Sequence, residues 1–353
     1  MNELETILRN LVQTRGPIPL SDYMAECLFH PAYGYYSTRN PLGAAGDFIT
    51  APEISQMFGE LIGLSLAQSW LDQGAPARFA LTELGPGRGT LMADALRAAR
   101  AVPGFSDAAE VHLVEASPPL RAAQKTTLAA YAPRWHDTVN TLPEIPLYLI
   151  ANEFFDALPI RQYQRASAGW SERCIGADGQ GLRFGLAPPA PLNALSHRLD
   201  DTAIGDIVEH CPAAPAIITT IGQRIKDHGG AALIIDYGDW RSLGDTLQAL
   251  RNHQPVNPLA EPGKADLTAH VDFEALAHAA PCGHTKLTPQ GLFLERLGIT
   301  GRAQALATAL GGDALKSHVA AHRRLTHPDE MGTLFKVLGF YPANATPPPG
   351  LEP

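Results

Sequence analysis

Three glycines and an acid at the end of one apolar run have the spacing of a ligand-binding turn. The stretch FALTELGPGRGTL, residues 79–91, places Glu83 at the end of the run and then Gly85, Gly87 and Gly89 within five residues. Glycine lets the main chain adopt positive φ and approach a ligand closely. An acid at the strand tip can face a positive charge. The turn therefore predicts a bound phosphate, a dinucleotide or another ligand that lies against the backbone.

The order of residues in this turn argues against phosphate. A Walker loop needs lysine directly after its last glycine, and here Thr90 follows Gly89. The dinucleotide fingerprint GxGxxG would need a glycine at Thr90, so that match is partial. An acid, one spacer and GxGxG resemble the first motif of the Rossmann-like S-adenosyl-L-methionine (SAM) methyltransferases. SAM carries no phosphate but has an ammonium group and a sulfonium cation, which suit Glu83.

Acids also follow the next two predicted strands. The run EVHLVEA ends at Glu115, 26 residues after Gly89. An acid there can accept hydrogen bonds from both ribose hydroxyls, whether of SAM or of NAD. The alternative is an acid in the first turn of the following helix, where the helix dipole favours it. In the stretch RWHDTVN that follows, Asp137 can accept a hydrogen bond from an adenine amino group. The equally favoured alternative is that Asp137 is simply an acid in an exposed loop.

The third predicted strand ends in a candidate acceptor motif, IANEFFDALP. Asn152, Glu153, Phe154 and Phe155 stand where amino-directed methyltransferases carry Asn/Asp-Pro-Pro-aromatic, with the two prolines replaced. A planar nitrogen needs an acceptor that aims its N–H groups and an aromatic wall that excludes water. The phenylalanines are better interpreted as core residues. Glu153 and Asp156 are two acids at a strand tip, for which a functional role is favoured.

Short apolar runs alternate with helical patterns from about residue 76, which predicts an α/β fold with a parallel sheet covered by helices. The terminal stretch YPANATPPPGLEP reads as a flexible end. The predicted regions are an N-terminal helical region at 1–75, a core at 76–238 completed by 331–341, a β-hairpin insertion at 160–187, and a helical insertion for substrate or partner at 239–330.

Composition excludes several functional classes. The chain has 353 residues, 45% of them hydrophobic, and a net charge of −9, which disfavours a nucleic-acid partner. Its four cysteines are widely spaced and predict reduced thiols and no metal site. The N-terminal stretch lacks the features of a signal peptide, and no apolar stretch is long enough to span a membrane. The expected location is the cytoplasm.

The chain as a whole resembles the MidA-like SAM-dependent methyltransferases, whose mitochondrial members methylate an arginine on a subunit of respiratory complex I during assembly. The resemblance implies a Rossmann-like class I SAM methyltransferase core with a mostly parallel seven-stranded sheet. It implies SAM as cofactor and a protein as substrate, and it leaves oligomerisation open. It rests on the stretches FHPAYGYYS, GDFITAPEISQMFGELIG, TELGPGRGTLMAD, LVEASPPLRAAQ, ANEFFDALPIRQ, LIIDYG, ADLTAHVDF and MGTLFKVL.

The resemblance adds further candidate site residues. It implies that an active-site loop at 43–53 closes over SAM through Gly46, Asp47, Phe48 and Thr50. The stretch ADLTAHVDF adds His270, which can equally be an ordinary loop histidine.

Arginine as methyl acceptor sets a specific requirement, because its guanidinium stays protonated in water. Glu153 and Asp156, together with Asp47, are predicted to hold this cation, with Asn152 beside them. Three alternatives remain open. These are a SAM-binding assembly chaperone without catalysis, a small-molecule or RNA methyltransferase, and an NAD oxidoreductase.

Overall fold

The computed structural model describes residues 2–38 and 50–353. The predicted site residues Gly46, Asp47 and Phe48 lie outside the described residues. The chain divides into two compact units. Within the described residues, the larger unit holds 50–155, 215–240 and 273–353, and the smaller unit holds 2–38, 156–214 and 241–272.

The larger unit is built on a mostly parallel β-sheet, as the alternation of strands and helices predicts. Along the described part of this sheet, five parallel strands are followed by Phe335–Tyr341, which runs antiparallel to its neighbour Gly230–Asp239. In spatial order the strands are Gly283–His284, Phe335–Tyr341, Gly230–Asp239, Leu147–Asn152, Phe79–Leu84, Ala109–Val114 and Arg134–His136, with Thr288–Pro289 paired beside Phe335–Tyr341.

The two central strands are buried along their whole length. Every residue of Phe79–Leu84 and of Leu147–Asn152 is buried, which explains their nearly continuous apolar sequences. Helices bury their apolar faces against this sheet. The helices and helical turns of the larger unit are Ala51–Ile54, Gln56–Asp72, Thr90–Ala99, Phe105–Ala108, Pro118–Thr127, Ala129–Tyr131, Val139–Thr141, Ala214–His228, which starts at the unit boundary, Phe273–Ala279, Gln290–Arg296, Ile299–Ala307, Gly312–Thr326 and Pro328–Gly332.

Small residues bring two of these helices into close contact. A Cβ added to Gly63 would lie 2.5 Å from the Cα of Ala95, so helix Gln56–Asp72 can approach helix Thr90–Ala99 only because residue 63 is glycine. The second helix starts directly after the glycine turn at 85–89. This packing therefore fixes the direction in which the chain leaves that turn.

The smaller unit contains antiparallel sheets and the N-terminal helices. A hairpin turn joins Gly169–Ala177 to Leu182–Leu186, with the Asp178 N–H donating to the Gly181 carbonyl at 2.9 Å. The helices and helical turns are Glu3–Arg15, Leu20–Phe29, Tyr35–Thr38 and Asn193–Arg198. The strands are Ile18–Pro19, Arg161–Ala166, Gly169–Ala177, Leu182–Leu186, Ile207–His210, Gln248–Arg251, Gln254–Val256, Asp266–Thr268 and Val271–Asp272.

Two features differ from the sequence prediction. Residues 248–268, expected as loops and helices, form an antiparallel sheet in the order Gln254–Val256, Gln248–Arg251, Asp266–Thr268. The C-terminal stretch, expected as a flexible end, packs into the core of the larger unit, to which it belongs. Leu351 is 8% exposed within the main core, and the Ser65 hydroxyl donates to the Pro349 carbonyl at 3.0 Å.

We expect the substitution Leu351→Ala to lower the free energy of unfolding by about 2 kcal/mol, because it removes buried methyl groups from the main core. The matched control is Leu310→Ala, since Leu310 is 37% exposed and lies in the same unit. Urea denaturation of the full chain measures both. A midpoint for Leu351→Ala equal to that of the control would show that the end of the chain contributes nothing to stability.

Candidate functional site

The predicted acids of the larger unit gather at one edge of its sheet. Glu83, Glu115 and Asp137 stand at or just after the ends of three neighbouring parallel strands, and Asn152 ends a fourth. The carboxyl ends of parallel strands lie at the same edge of a sheet, so these residues lie together at that edge. This is the edge at which α/β proteins bind their ligands.

The glycine turn has the backbone conformation that its sequence predicts. Gly85, Gly87 and Gly89 have φ of 56°, 53° and 83°, the left-handed region that glycine adopts without strain. The Gly85 N–H donates to the Val114 carbonyl at 3.0 Å, which ties the turn to the neighbouring strand. A Cβ on Gly85 would lie 3.0 Å from a ring carbon of Phe154. Phe154 therefore packs against the turn, whereas the sequence favoured a simple core residue.

Glu83 is a buried acid with one unpaired oxygen. Its side chain is 3% exposed, and no described residue forms a hydrogen bond with its Oε2 atom. Burial raises the pKa of Glu83 to about 8, a backbone hydrogen bond with Met92 opposes this shift, and the charge of Glu115 adds to it. A buried acceptor in this state favours a ligand that brings a donor or a positive charge.

Glu115 is held by hydrogen bonds to both of its carboxylate oxygens. The Ser117 N–H donates to Oε1 at 2.8 Å, and the Gln124 amide donates to Oε2 at 3.2 Å. Burial raises the pKa of Glu115, while these two hydrogen bonds lower it. The carboxylate is thus fixed in orientation, as an acceptor for ribose hydroxyls must be.

Gln124 belongs to this site although sequence reasoning did not select it. Its side chain is fully buried and hydrogen-bonded to both the glycine turn and Glu115. The available signal was its position four residues after Leu120, on the buried face of helix Pro118–Thr127. A glutamine on that face needs a polar partner.

Asp137 is exposed, with 83% of its side chain accessible, and it forms an ion pair with Arg121. The Arg121 guanidinium also donates to the Glu115 carbonyl at 2.7 Å. Asp137 is therefore linked to the loop after Glu115, and its role toward an adenine amino group stays a prediction.

The acceptor motif contains a strained backbone. Glu153 has φ of 50°, which is uncommon for a residue with a side chain and is typical of positions that the surrounding structure enforces. Its N–H donates to the Ile235 carbonyl at 2.9 Å. Its Oε1 atom accepts from Asn152 Nδ2 at 3.1 Å and from the Ala51 N–H at 3.2 Å. The carboxylate of Glu153 is thereby held beside the carboxamide of Asn152.

Asp236, which ends the buried run LIIDYG, supports the same turn. This fully buried side chain accepts from the Phe155 N–H at 3.0 Å and from the Tyr237 N–H at 2.9 Å. Phe155 is 3% exposed and belongs to the core, as predicted for it. Asp236 thus fixes the main chain that follows Glu153.

Glu53 links the described end of the loop at 43–53 to the glycine turn. Its carboxylate pairs with the Arg88 guanidinium and accepts from the Thr90 hydroxyl at 2.7 Å. Thr50 precedes helix Ala51–Ile54 and makes no capping hydrogen bond with its side chain. The role of Thr50 toward a cofactor stays a prediction.

The remaining predicted residues belong to the smaller unit. Asp156 is 6% exposed, and its carbonyl accepts from the Ala269 N–H at 3.0 Å. The adjacent His270 donates its N–H to the Thr246 hydroxyl at 2.8 Å. Asp266 is 4% exposed and accepts from the Tyr36 hydroxyl at 2.9 Å. This backbone hydrogen bond brings Asp156 and the ADLTAHVDF stretch together, and their catalytic roles stay predictions.

The strand ends of the larger unit fit the predicted cofactor. Glu83 Oε2 and Asn152 Oδ1 are both buried acceptors without a hydrogen-bond partner in the described residues. Glu83 pairs with Ile150, two residues before Asn152, so both side chains point to the same face of the sheet. An ammonium or sulfonium group would supply the positive charge that the buried Glu83 favours, and Glu115 would remain for a ribose.

Comparison with known proteins supports the same ligand. A family model described as "Putative S-adenosyl-L-methionine-dependent methyltransferase" matches residues 61–292. The chain is similar to "Protein arginine methyltransferase NDUFAF7, mitochondrial" of Mus musculus, with 38% identity over 97% of this chain and 85% of the relative. The homologue of Drosophila melanogaster is 37% identical over 95% of this chain and 84% of the relative.

A solved structure agrees over nearly the whole chain. A Burkholderia thailandensis protein bound to S-adenosyl-homocysteine superposes with a TM-score of 0.82 at 31% identity, covering 96% of this chain and 92% of that chain. A second crystal structure of a protein from the same organism gives a TM-score of 0.81 at 31% identity.

One sequence-based expectation is wrong by these comparisons. The cytoplasmic location is contradicted, because the curated relatives from mouse and fruit fly carry mitochondrial names.

In the part of the chain that the structure describes, no helix combines the length and apolarity of a membrane span. The same described residues contain no cluster of three or more side chains suited to a metal ion.

The buried Glu83 predicts a specific pH dependence of stability. Its pKa is about 8 in the folded protein against 4.5 for an unperturbed carboxyl. As the pH rises between these values, the unfolded chain loses this proton while the folded protein keeps it. The free energy of unfolding should therefore fall by about 1.4 kcal/mol per pH unit relative to Glu83→Gln.

Urea denaturation of both proteins across this window measures the difference. Glu144→Gln, which changes an exposed glutamate of the same unit, is the control and should track the wild type. Parallel stability curves for wild type and Glu83→Gln would contradict a raised pKa at this position.

Proposed function

The chain belongs to the MidA-like family of SAM-dependent methyltransferases, and from that premise we propose that it methylates a side-chain nitrogen of arginine in a protein. The matching family model and the relatives already cited establish the family, and with it the fold, the cofactor and the class of enzyme. The arginine acceptor is suggested by the printed names of those relatives, "Protein arginine methyltransferase NDUFAF7".

The pairing of Asn152 and Glu153 is the observation that favours a guanidinium. The Glu153 carboxylate lies 3.1 Å from Asn152 Nδ2, and the Asn152 Oδ1 atom has no partner in the described residues. Together they present acceptors at the end of one strand, which can take N–H groups of a planar cation. The left-handed backbone of Glu153 supports this role, since strain of this kind is concentrated at functional sites.

Bound SAM would supply an electrophilic methyl group, with its S–CH3 bond broken in the transfer and S-adenosylhomocysteine as the leaving product. The backbone of the glycine turn would pack against the cofactor, and Glu115 would accept hydrogen bonds from its ribose hydroxyls. Glu153 and Asn152 orient the guanidinium so that one nitrogen faces the methyl group, and positioning of this kind accounts for much of the rate. The Glu153 carboxylate would accept the proton that this nitrogen gives up. Asp156, Asp47 and His270 are proposed as further catalytic residues on the basis of the sequence.

The acceptor protein is proposed to be a subunit of respiratory complex I, as in the mitochondrial members of the family. Mass spectrometry of proteins from cells with and without this chain tests the proposal. A methyl-arginine peptide that is lost with the chain and restored by it supports the proposal. A set of methyl-arginine sites that is unchanged would favour a SAM-binding assembly chaperone without catalysis.

We expect Glu153→Gln to lower kcat by about 100-fold or more, the usual contribution of a proton acceptor, with unchanged affinity for SAM. Glutamine keeps an oxygen that can accept from the Ala51 N–H, so the local fold is preserved. Transfer of radiolabelled methyl from SAM to the acceptor peptide measures the rate, and Glu144→Gln is the control. Full turnover by Glu153→Gln would remove this residue from the mechanism.

A further inference from the structure

Gln124 joins three parts of the cofactor side of the larger unit. Its Nε2 atom donates to the Gly87 carbonyl at 2.7 Å and to Glu115 Oε2 at 3.2 Å. Its Oε1 atom accepts from the Trp135 indole at 2.8 Å. One fully buried carboxamide therefore contacts the glycine turn, the acid that follows strand Ala109–Val114 and the strand Arg134–His136.

The orientation of this carboxamide is fixed by chemistry. The indole N–H of Trp135 can only donate, so the amide oxygen of Gln124 must face it. Both N–H groups of the amide then face acceptors, the Gly87 carbonyl and the Glu115 carboxylate. All polar groups of the Gln124 side chain are satisfied in this one orientation.

The same arrangement fixes Glu115. Its Oε1 atom accepts from the Ser117 N–H at 2.8 Å and its Oε2 atom from Gln124, so rotation of the carboxylate would break one of these bonds. Loss of the Gln124 amide would leave a buried carboxylate oxygen, a carbonyl and an indole N–H without this partner. Close packing adds to the effect, since a Cβ on Gly89 would lie 3.7 Å from the Gln124 Cα.

We propose that Gln124 is a positioning residue that sets the preference of this enzyme for a ribose over a deoxyribose in its cofactor. This inference rests on the proposed role of Glu115 as the ribose acceptor. Gln124 acts through Glu115, whose carboxylate can take two ribose hydroxyls only while its rotation is blocked. It also keeps the glycine turn at a constant distance from that carboxylate.

The test compares the binding of S-adenosylhomocysteine with that of its 2′-deoxy analogue by titration calorimetry. The wild type should prefer the ribose form by about 10- to 100-fold, the usual effect of one hydrogen bond to a charged group. Gln124→Met keeps the buried volume and removes the amide, and it should reduce this preference at least about fivefold. The KM for the acceptor should stay unchanged, because the hydrogen bonds of the Gln124 side chain go to Gly87, Glu115 and Trp135 on the cofactor side.

Gln290→Met is the matched control. Gln290 is an equally buried glutamine of the same unit, and its amide donates to the Leu325 carbonyl at 3.0 Å. This substitution also removes a buried amide from the larger unit and should leave the ribose preference at the wild-type value. A preference lost equally in both variants would mean that general destabilisation is the cause, and it would overturn the proposal.

Glu115→Gln tests the role of Glu115 in ribose binding separately from the positioning role of Gln124. If Glu115→Gln loses the ribose preference and Gln124→Met keeps it, the positioning role is wrong and the cofactor site stands. If both variants keep the preference, the assignment of Glu115 to the ribose is wrong as well. Should Gln124→Met fail to fold, Trp135→Phe removes only the donor that orients the amide. Its ribose preference should fall, and a wild-type value would overturn the proposal.

Discussion

The structure of the larger unit depends on keeping two carboxyl groups out of water at the carboxyl edge of a parallel sheet. Glu83 and Glu115 end neighbouring strands, both are buried, and burial raises the pKa of each. Burial of a carboxyl group costs free energy unless hydrogen bonds or an opposite charge compensate it. For Glu115 the protein supplies the hydrogen bonds itself. For Glu83 one oxygen has no hydrogen-bond partner among the described residues, and we propose that a cationic ligand compensates it.

The neighbouring elements serve this arrangement. The glycine turn brings backbone rather than side chains to the strand ends, and helix Gln56–Asp72 holds the next helix through the contact at Gly63. Asp236 fixes the main chain after the acceptor motif, and Glu53 pairs with Arg88 of the glycine turn. A methyltransferase needs both reactants positioned to within a fraction of an ångström, and these buried polar contacts provide rigid support.

The positions of Glu83 and Glu115 could be predicted from the sequence because the signals are local. Parallel strands bring their ends together, so an acid after each apolar run and a glycine-rich turn were enough to place both acids at the same end of the sheet. Their roles toward a cofactor stay predictions. Gln124 was missed because a glutamine on an amphipathic helix gives no sign of its partners, which are distant in sequence. The sheet at 248–268 was missed because its strands have only three or four residues. The C-terminal end reads as flexible from its prolines, yet Leu351 fits against Gly339, where a Cβ would lie 2.7 Å from it.

The central claim is that Glu83 receives a cationic ligand, and the protons released on SAM binding test it most directly. Because the pKa of Glu83 is about 8 in the protein alone, a bound cation should drive its ionisation near neutral pH. Titration calorimetry in buffers of different ionisation enthalpy should show release of about one proton for the wild type and of almost none for Glu83→Gln. Equal proton release by the two proteins would contradict the account.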